Sequence, residues 1–337
     1  MGVSVRPFGT HNGKAVEEFT LTSETGVEIK FISYGGVLRS WKVPVKGGMR
    51  QVALGFEDFA PYPVHSPHFG ALTGRVANRI AGASFDLDGR RYRTPANENG
   101  NTLHGGPEGL GMQVWDATVD EARTAVKFTH ISPDGAMGFP GEAKISATYR
   151  LWGNKLRLDF AATLDKVSPL SLVQHHYFNL GTGDDVLDHL YQVEAGAYTE
   201  LGAGLITTGN ILEFAPGDDH DLRVARTMRR ADRSPIEFDG NVVLDSGRDT
   251  SKPVATVVAP DKALTLRLWT DRPGLQVYNG VMTNVPVPGL DGKRYGKFSG
   301  FCLEDQSFPD AVHHKHFPSI WHGPARPYAH WCEIEIA

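Results

Sequence analysis

Hydrophobic and polar residues alternate along most of this chain with a period of two. Phe19 and Leu21 alternate with threonines, residues 23–26 (Ser-Glu-Thr-Gly) interrupt the pattern, and the alternation resumes at Val27 and continues to Phe31. Because successive side chains of a strand point to opposite faces of the sheet, this arrangement predicts a β-hairpin with one buried face.

Short turn sequences separate other alternating segments. Asp88-Gly89 stands between residues 84–87 and 90–93, and an Asp-Gly pair favours a two-residue hairpin turn because both residues tolerate a positive φ. Gly153-Asn154 stands in the same way between residues 145–151 and 156–160. Apolar residues alternate again over residues 264–268 and 332–336, which predicts two more strands.

No segment sustains an apolar period of 3.6 residues over three turns, so we expect few and short helices. The 38 glycines and 21 prolines are spread along the chain, and no stretch has the composition of a linker. The sequence therefore predicts an all-β protein, with one large and mostly antiparallel domain over residues 1–337 that is either a sandwich or a barrel.

The composition narrows the classes of function. The formal net charge is −5, whereas nucleic-acid binding requires a concentrated basic surface. No run of about 18 apolar residues predicts a membrane-spanning helix, and the N-terminus lacks the apolar stretch of a signal peptide. With only two cysteines, Cys302 and Cys332, we expect free thiols and a cytoplasmic protein. The expected partner is a small molecule without strong charge, bound by a monomer or a homodimer.

Three parts of the chain carry more polar functional groups than a sheet core requires. They are GRVANRI at residues 74–80 with NTLHGG at 101–106, QHHYFNL at 174–180, and GFCLEDQSFPD at 300–310. Glu304 follows an apolar run, so we place it at the end of a buried strand, where burial raises the pKa of a carboxylate towards that of a useful base. Each residue alone has a structural alternative, since Arg75 or Arg79 can pin a loop and Glu304 can belong to an ion pair.

Together and in this order, these segments resemble the aldose 1-epimerase (galactose mutarotase) family. The motifs that carry the resemblance are GRVANRI (74–80), NTLHGG (101–106), HxYFNL (175–180) and LExQxFPD (303–310). The resemblance runs from about residue 15 to the C-terminus. It implies a large antiparallel β-sandwich, the galactose mutarotase-like supersandwich, and an isomerase that interconverts the α and β anomers of free aldoses.

The resemblance also implies roles for particular residues. Glu304 is the expected base for the C1 hydroxyl and His175 the expected acid for the ring oxygen, although strand alternation alone does not distinguish His175 from His176. The sugar-binding residues that the family pattern implies are His104, Asn78, Arg79, Asp239 and Gln276. One acid and one base suffice for this reaction, so we expect neither a metal nor an organic cofactor. An aromatic residue such as Phe178 or Tyr62 could cover an apolar face of the sugar.

Three positions beside these residues depart from the family pattern. Gln174 stands where Asn is usual, His176 where Ser or Thr is usual, and Gly240 where His is usual, so the family's preference for glucose and galactose is not carried over. The alternatives are a non-catalytic carbohydrate-binding or sensing protein on the same fold, and an epimerase for an uncommon sugar or sugar derivative. A metal-dependent β-barrel enzyme is a further alternative, suggested by the histidines of residues 313–316.

Overall fold

The structure is a computed structural model that describes residues 1–66 and 68–337. The strands up to residue 103 are β1 (Gly2–His11), β2 (Lys14–Thr22), β3 (Glu28–Ile32), β4 (Val37–Val45), β5 (Gly48–Gln51), β6 (Leu72–Thr73), β7 (Arg79–Ile80), β8 (Ser84–Leu87), β9 (Arg90–Arg93) and β10 (Thr102–Leu103).

The middle of the chain continues the series of strands. They are β11 (Asp116–Asp120), β12 (Ala125–Ser132), β13 (Ala143–Trp152), β14 (Lys155–Leu164), β15 (Ser168–Pro169), β16 (Val173–Gln174), β17 (Leu190–Val193), β18 (Ala195–Leu201) and β19 (Thr207–Glu213). The C-terminal strands are β20 (Asp239–Leu244), β21 (Ala255–Val258), β22 (Thr265–Thr270), β23 (Gly274–Tyr278), β24 (Cys302–Gln306), β25 (Trp321–His322) and β26 (Tyr328–Ile336).

Helical structure is minor in the part of the chain that the structure describes. The α-helix α1 spans only Tyr62–His65. Single 3-10 turns occur at Ala81–Ala83, Leu110–Met112, Glu121–Arg123, Ala136–Gly138, Ala203–Leu205 and Leu290–Gly292. Among the described residues, no helix has the length and apolar character that crossing a membrane requires.

Three antiparallel sheets contain most of the strands. The first has the order β1-β2-β3-β4-β5, the second β11-β12-β13-β14-β26-β22-β21-β17, and the third β19-β18-β20-β23-β24. The predicted antiparallel all-β class is confirmed. The predicted hairpins are also confirmed, because β2 pairs with β3, β8 with β9 and β13 with β14. Asp88 and Gly89 both have positive φ (50° and 76°), as their turn requires.

The first and second sheets pack their apolar faces together. The rings of Phe31 and Tyr149 lie 4.3 Å apart, and those of Phe19 and Phe128 lie 5.5 Å apart in an edge-to-face contact. Strand β13 shows the cause, because alternate residues from Ala143 onward are buried and belong to the main hydrophobic core. The period-two pattern of the sequence therefore builds the interface between the sheets.

Strand β24 differs from these strands because all five of its residues are buried. Leu303 faces the main hydrophobic core, whereas Glu304 faces a cleft on the other side of the sheet. Glu304 lies in the middle of the strand, so the expectation that it would stand at a strand end was wrong. The two cysteines, Cys302 in β24 and Cys332 in β26, are buried and free, as predicted.

Candidate active site

All seven residues expected in the site line one cleft. The lining comprises His175, Glu304, His104, Asn78, Arg79, Asp239 and Gln276, together with His68, Glu98, Leu103, Tyr177, Tyr278 and Met282. The cleft encloses about 590 Å³ including its open mouth. Residues separated by more than 200 positions in the sequence thus converge on one place.

Three neighbouring strands of the third sheet supply the acidic side of the cleft. In the register of β20, β23 and β24, Asn241 is opposite Gln276 and Gln276 is opposite Glu304. Directly opposite residues share one face of a sheet, and so do residues two positions apart, which brings Asp239 to the same face. The alternation that buries Leu303 in the core therefore presents Glu304 to the cleft.

Glu304 is a buried carboxylate that the protein leaves incompletely paired. The residue is 2% exposed, and no described residue hydrogen-bonds its Oε2 atom. Burial raises the pKa of Glu304 well above its ordinary range, and the nearby carboxylate of Asp239 raises it further. Arg79 opposes this shift because its positive charge favours the ionised form. Such a carboxyl group is well suited to exchange protons near neutral pH.

His175 follows β16 and is held there by backbone hydrogen bonds. Its N–H donates to the carbonyl oxygen of Ala71 (2.9 Å), and its own carbonyl oxygen accepts from Gly70 N–H (2.9 Å). Its Nε2 atom lies 3.7 Å from Glu304 Oε2. Burial lowers the pKa of His175 well below 6.5, and the neighbouring ring of His68 lowers it further. The imidazole and the carboxyl group therefore face each other inside the cleft.

The opposite pKa shifts of Glu304 and His175 determine the favoured protonation state of the pair. The raised pKa favours a proton on Glu304, and the lowered pKa favours a neutral His175. Both shifts therefore favour the uncharged state of the pair, which holds one proton. Groups coupled this closely titrate as a unit, so the proton belongs to the pair and not to one residue.

The loops around β7 and β10 supply the opposite side of the cleft. Asn78 N–H donates to His104 Nδ1 (3.2 Å), which leaves a neutral His104 with its hydrogen on Nε2. Burial lowers the pKa of His104 well below 6.5, so the ring is a neutral donor. Arg79 Nε and Nη2 donate to the two carboxylate oxygens of Glu98 (2.6 and 2.8 Å), and this bidentate pair fixes the guanidinium.

A chain of side-chain hydrogen bonds connects the remaining predicted sugar contacts. Gln276 Nε2 donates to Asp239 Oδ1 (2.6 Å), and Gln306 Nε2 donates to Gln276 Oε1 (3.3 Å). Burial raises the pKa of Asp239, although Arg79 partly offsets the effect. These groups offer donors and acceptors in fixed positions, as recognition of a polyol requires.

Some residues that the sequence singled out lie elsewhere. Arg75 is buried and donates to Ser132 Oγ (2.9 Å) and to the carbonyl oxygen of Pro140 (3.0 Å), so its loop-pinning alternative is confirmed. The expectation that Phe178 or Tyr62 covers the sugar was wrong. Both rings are fully buried in hydrophobic clusters. Phe178 is buried because it points to the opposite face from Tyr177. Tyr177 and Tyr278 are the aromatic residues at the cleft.

The histidines of residues 313–316 contact the protein itself. His313 Nδ1 lies 2.7 Å from Asp310 Oδ1, and His316 Nε2 lies 2.8 Å from the carbonyl oxygen of Gly209. Within residues 1–66 and 68–337, the group with ligand atoms close enough to hold a metal ion is His104, His175 and Glu304, whose atoms lie within 4.8 Å of one another. Of these residues, Glu304 and His175 are the expected base and acid and His104 is an expected sugar contact, so a bound metal would compete with these roles.

Sequence reasoning did not identify His68, Glu98, Tyr278 or Met282 as cleft residues. Glu98 and His68 stand outside the four motifs, and their proximity to Arg79 and His175 depends on loop paths that a local pattern does not encode. Tyr177 lies inside the HxYFNL motif, and its parity with His175 along the chain was an available signal.

Comparisons with known proteins agree with this geometry. A sequence model of the family described as aldose 1-epimerase matches residues 17–335. Galactose mutarotase from Rattus norvegicus is 36% identical over 332 residues, which are 96% of this chain and 96% of that protein. Aldose 1-epimerase from Haemophilus influenzae is 32% identical over 98% of both chains. A solved structure of an aldose epimerase homologue from C. elegans matches with a TM-score of 0.88 and 25% identity, over 94% of this chain and 98% of that one. The chain belongs to the aldose 1-epimerase family.

Proposed function

We propose that the protein interconverts the α and β anomers of free aldoses, with Glu304 as the base and His175 as the acid. Its family membership makes the chain an isomerase that acts on carbohydrates. The observation that best supports the residue assignment is the 3.7 Å approach of His175 Nε2 to Glu304 Oε2 in a cleft lined by hydrogen-bonding groups. A carbohydrate-binding protein would not need an acid and a base at one centre.

The proposed reaction begins with the ionised form of the pair. Glu304 takes the proton of the C1 hydroxyl, the electrons of that O–H bond form the C1–O1 double bond, and the C1–O5 bond breaks. His175, as an imidazolium, gives its Nε2 proton to the departing ring oxygen. The open aldehyde then turns about the C1–C2 bond. The C5 hydroxyl attacks the other face of C1 while the two protons return.

The number of protons on the pair stays constant through these steps. Before ring opening, the proton is on His175; afterwards, Glu304 carries a proton and His175 is neutral. Burial favours this second, uncharged form, as the directions of the two pKa shifts indicate. The site thus favours the protonation state that accompanies the open chain, and substrate hydroxyl groups must stabilise the ion pair that starts the reaction.

The other cleft residues are proposed to hold the sugar around this pair. His104 offers its Nε2–H to a sugar oxygen, and Arg79 offers guanidinium N–H groups that Glu98 does not use. Asp239 accepts hydrogen bonds from hydroxyl groups, and Gln276 orients that carboxylate through its 2.6 Å hydrogen bond. Asn78 fixes His104 through its backbone N–H. Correct orientation of the ring brings O1 to Glu304 and O5 to His175.

Polarimetry of freshly dissolved α-glucose and α-galactose tests this function. The protein should accelerate the approach to the equilibrium rotation, and dialysis against a metal chelator should leave the acceleration unchanged. Sugar binding without acceleration, across a panel of aldohexoses and aldopentoses followed by NMR exchange, would identify a binding or sensing protein instead. The same panel reveals which aldose is preferred. This preference is measured directly because Gln174, His176 and Gly240 depart from the family pattern.

A further inference from the structure

The ring of His175 is held on several sides. Its plane stacks on Tyr177 at 5.1 Å between centroids and 10° between planes, and on His68 at 5.8 Å and 23°. The edge of His104 approaches at 5.1 Å. Since Nε2 faces Glu304, the remaining ring nitrogen, Nδ1, must find its partner away from the reacting atoms. That partner is the sulfur of Cys302, at 3.5 Å.

Cys302 is placed for this contact by the same strand that presents Glu304. The two residues are two positions apart in β24 and therefore share one face of the sheet. Cys302 is 0% exposed. Burial raises the pKa of its thiol well above 9, so the group is an uncharged S–H at neutral pH and not a thiolate nucleophile.

We propose that Cys302 is a positioning residue whose sulfur accepts the Nδ1–H hydrogen bond of His175, so that Nε2 is the ring atom that exchanges a proton with the sugar. This inference rests on the proposed role of His175. In the imidazolium, both nitrogens carry hydrogen; after transfer from Nε2, the neutral ring retains hydrogen on Nδ1. The sulfur can accept that hydrogen in both states, so the ring does not need to reorient between ring opening and reclosure.

The chemical nature of the group that contacts Nδ1 also affects the acidity of the His175 imidazolium. A carboxylate at Nδ1, as in a Ser-His-Asp triad, stabilises the imidazolium and makes it a weaker acid. A neutral thiol adds no charge, and sulfur is a weak acceptor. His175 therefore remains a strong enough acid to protonate a ring oxygen, while its tautomer stays defined.

The test uses Cys302→Ala, which removes the acceptor, and Cys302→Ser, which replaces it with another neutral acceptor. Cys332→Ala is the matched control, because Cys332 is also a buried free cysteine but belongs to the hydrophobic core. We expect kcat to fall about tenfold in Cys302→Ala, as for the loss of one hydrogen bond, with KM within about twofold of the wild type. Cys302→Ser should recover most of kcat, and Cys332→Ala should retain it.

The decisive readout is the ¹⁵N NMR signature of the His175 ring, which reports its tautomer without any turnover. In the wild type and in Cys302→Ser, hydrogen should be on Nδ1, and in Cys302→Ala the two tautomers should mix. An unchanged tautomer, an unchanged kcat, or a loss confined to KM in Cys302→Ala would overturn the proposal. A failure of the proposed function is distinguishable, since it would show as full activity in His175→Asn whatever the tautomer.

Discussion

The two consecutive carboxylates of β24 are both buried, yet only one has its hydrogen bonds completed by the protein. Asp305 Oδ2 accepts from Thr270 Oγ1 (2.6 Å) and lies 2.5 Å from His330 Nε2 on the core side of the sheet. On the cleft side, Glu304 Oε2 has no hydrogen-bond partner among the described residues. A buried polar group without partners is costly, whereas a fully paired one rigidifies its surroundings. One strand thus carries a fully paired carboxylate on one face and the proposed base on the other.

The consecutive histidines after β16 repeat this division. His175 lines the cleft, whereas His176 is 1% exposed and lies in the interior, with its Nε2 atom 3.3 Å from the hydroxyl of Tyr149. Burial lowers the pKa of His176 to about 3, so this ring is neutral at neutral pH. We therefore assign proton exchange to the side chains that point into the cleft (the cleft face) and packing to the side chains that point into the interior (the core face).

Among variants of the cleft face, Glu304→Gln should have the largest effect on activity. We expect kcat to fall by about two to four orders of magnitude, because an amide cannot take the C1-hydroxyl proton. Sugar affinity should persist, and the free energy of unfolding should not decrease, since the variant removes a carboxyl group that burial disfavours. Polarimetry, sugar titration and thermal unfolding measure the three quantities. Wild-type kcat in this variant would remove Glu304 from the mechanism.

The histidine pair gives the next comparison. His175→Asn should also lower kcat by about two to four orders of magnitude, because the ring oxygen loses its proton donor. His176→Ser should leave kcat close to the wild-type value but lower the free energy of unfolding by ~1–3 kcal/mol through lost packing. The opposite pattern, with His176→Ser the inactive variant, would mean that the wrong neighbour has been assigned to the site.

Asp305→Ala tests the core face directly. Removing one partner of a buried pair leaves His330 and Thr270 without their acceptor, so we expect a loss of ~3 kcal/mol in the free energy of unfolding. The kcat of the folded molecules should fall far less than in Glu304→Gln. Chemical denaturation and activity per folded molecule check this. A stable but inactive Asp305→Ala protein would contradict the division between the faces.

The pH dependence should be the smallest effect. Activity requires one proton on the His175–Glu304 pair. Because the pKa of Glu304 is raised, that proton is lost only above the ordinary pKa range of a carboxylic acid. Because the pKa of His175 is lowered, the pair gains a second proton only below the ordinary pKa range of a histidine. On the acid side, the kcat/KM profile should therefore fall only below pH ~6.5, the ordinary histidine pKa. A loss of activity on lowering the pH through that value would contradict the lowered pKa of His175.

The sequence was most informative where structure depends on local patterns. Alternation at Phe19 and Leu21 and the Asp88-Gly89 turn predicted hairpins correctly, because strand parity and positive-φ turns are properties of neighbouring residues. The seven predicted residues of the cleft came from the family resemblance, since no local rule brings Asn78 and Glu304 together.

Other features depend on contacts between distant parts of the chain. The sequence could not show that Asp305 is paired with His330, 25 residues later, while the adjacent Glu304 is not. Parity places Tyr177 on the same face as His175 and Phe178 on the other, but the choice of Tyr177 for the cleft also requires knowing that His175 lies there, which came from the family resemblance. The pairing of Arg79 with Glu98 depends on how two loops meet.

The claim that His175 and Glu304 act as one pair is tested most directly with the double variant Glu304→Gln/His175→Asn. Its rate of exchange between anomers is measured by NMR and compared with the rate of each single variant, after subtraction of the spontaneous rate. Groups that act as a unit give strongly non-additive losses, because removing either one already disables the step. We therefore expect the double variant to be within about tenfold of the slower single variant. A loss equal to the product of the two single losses would contradict the claim that one acid–base pair opens and recloses the ring.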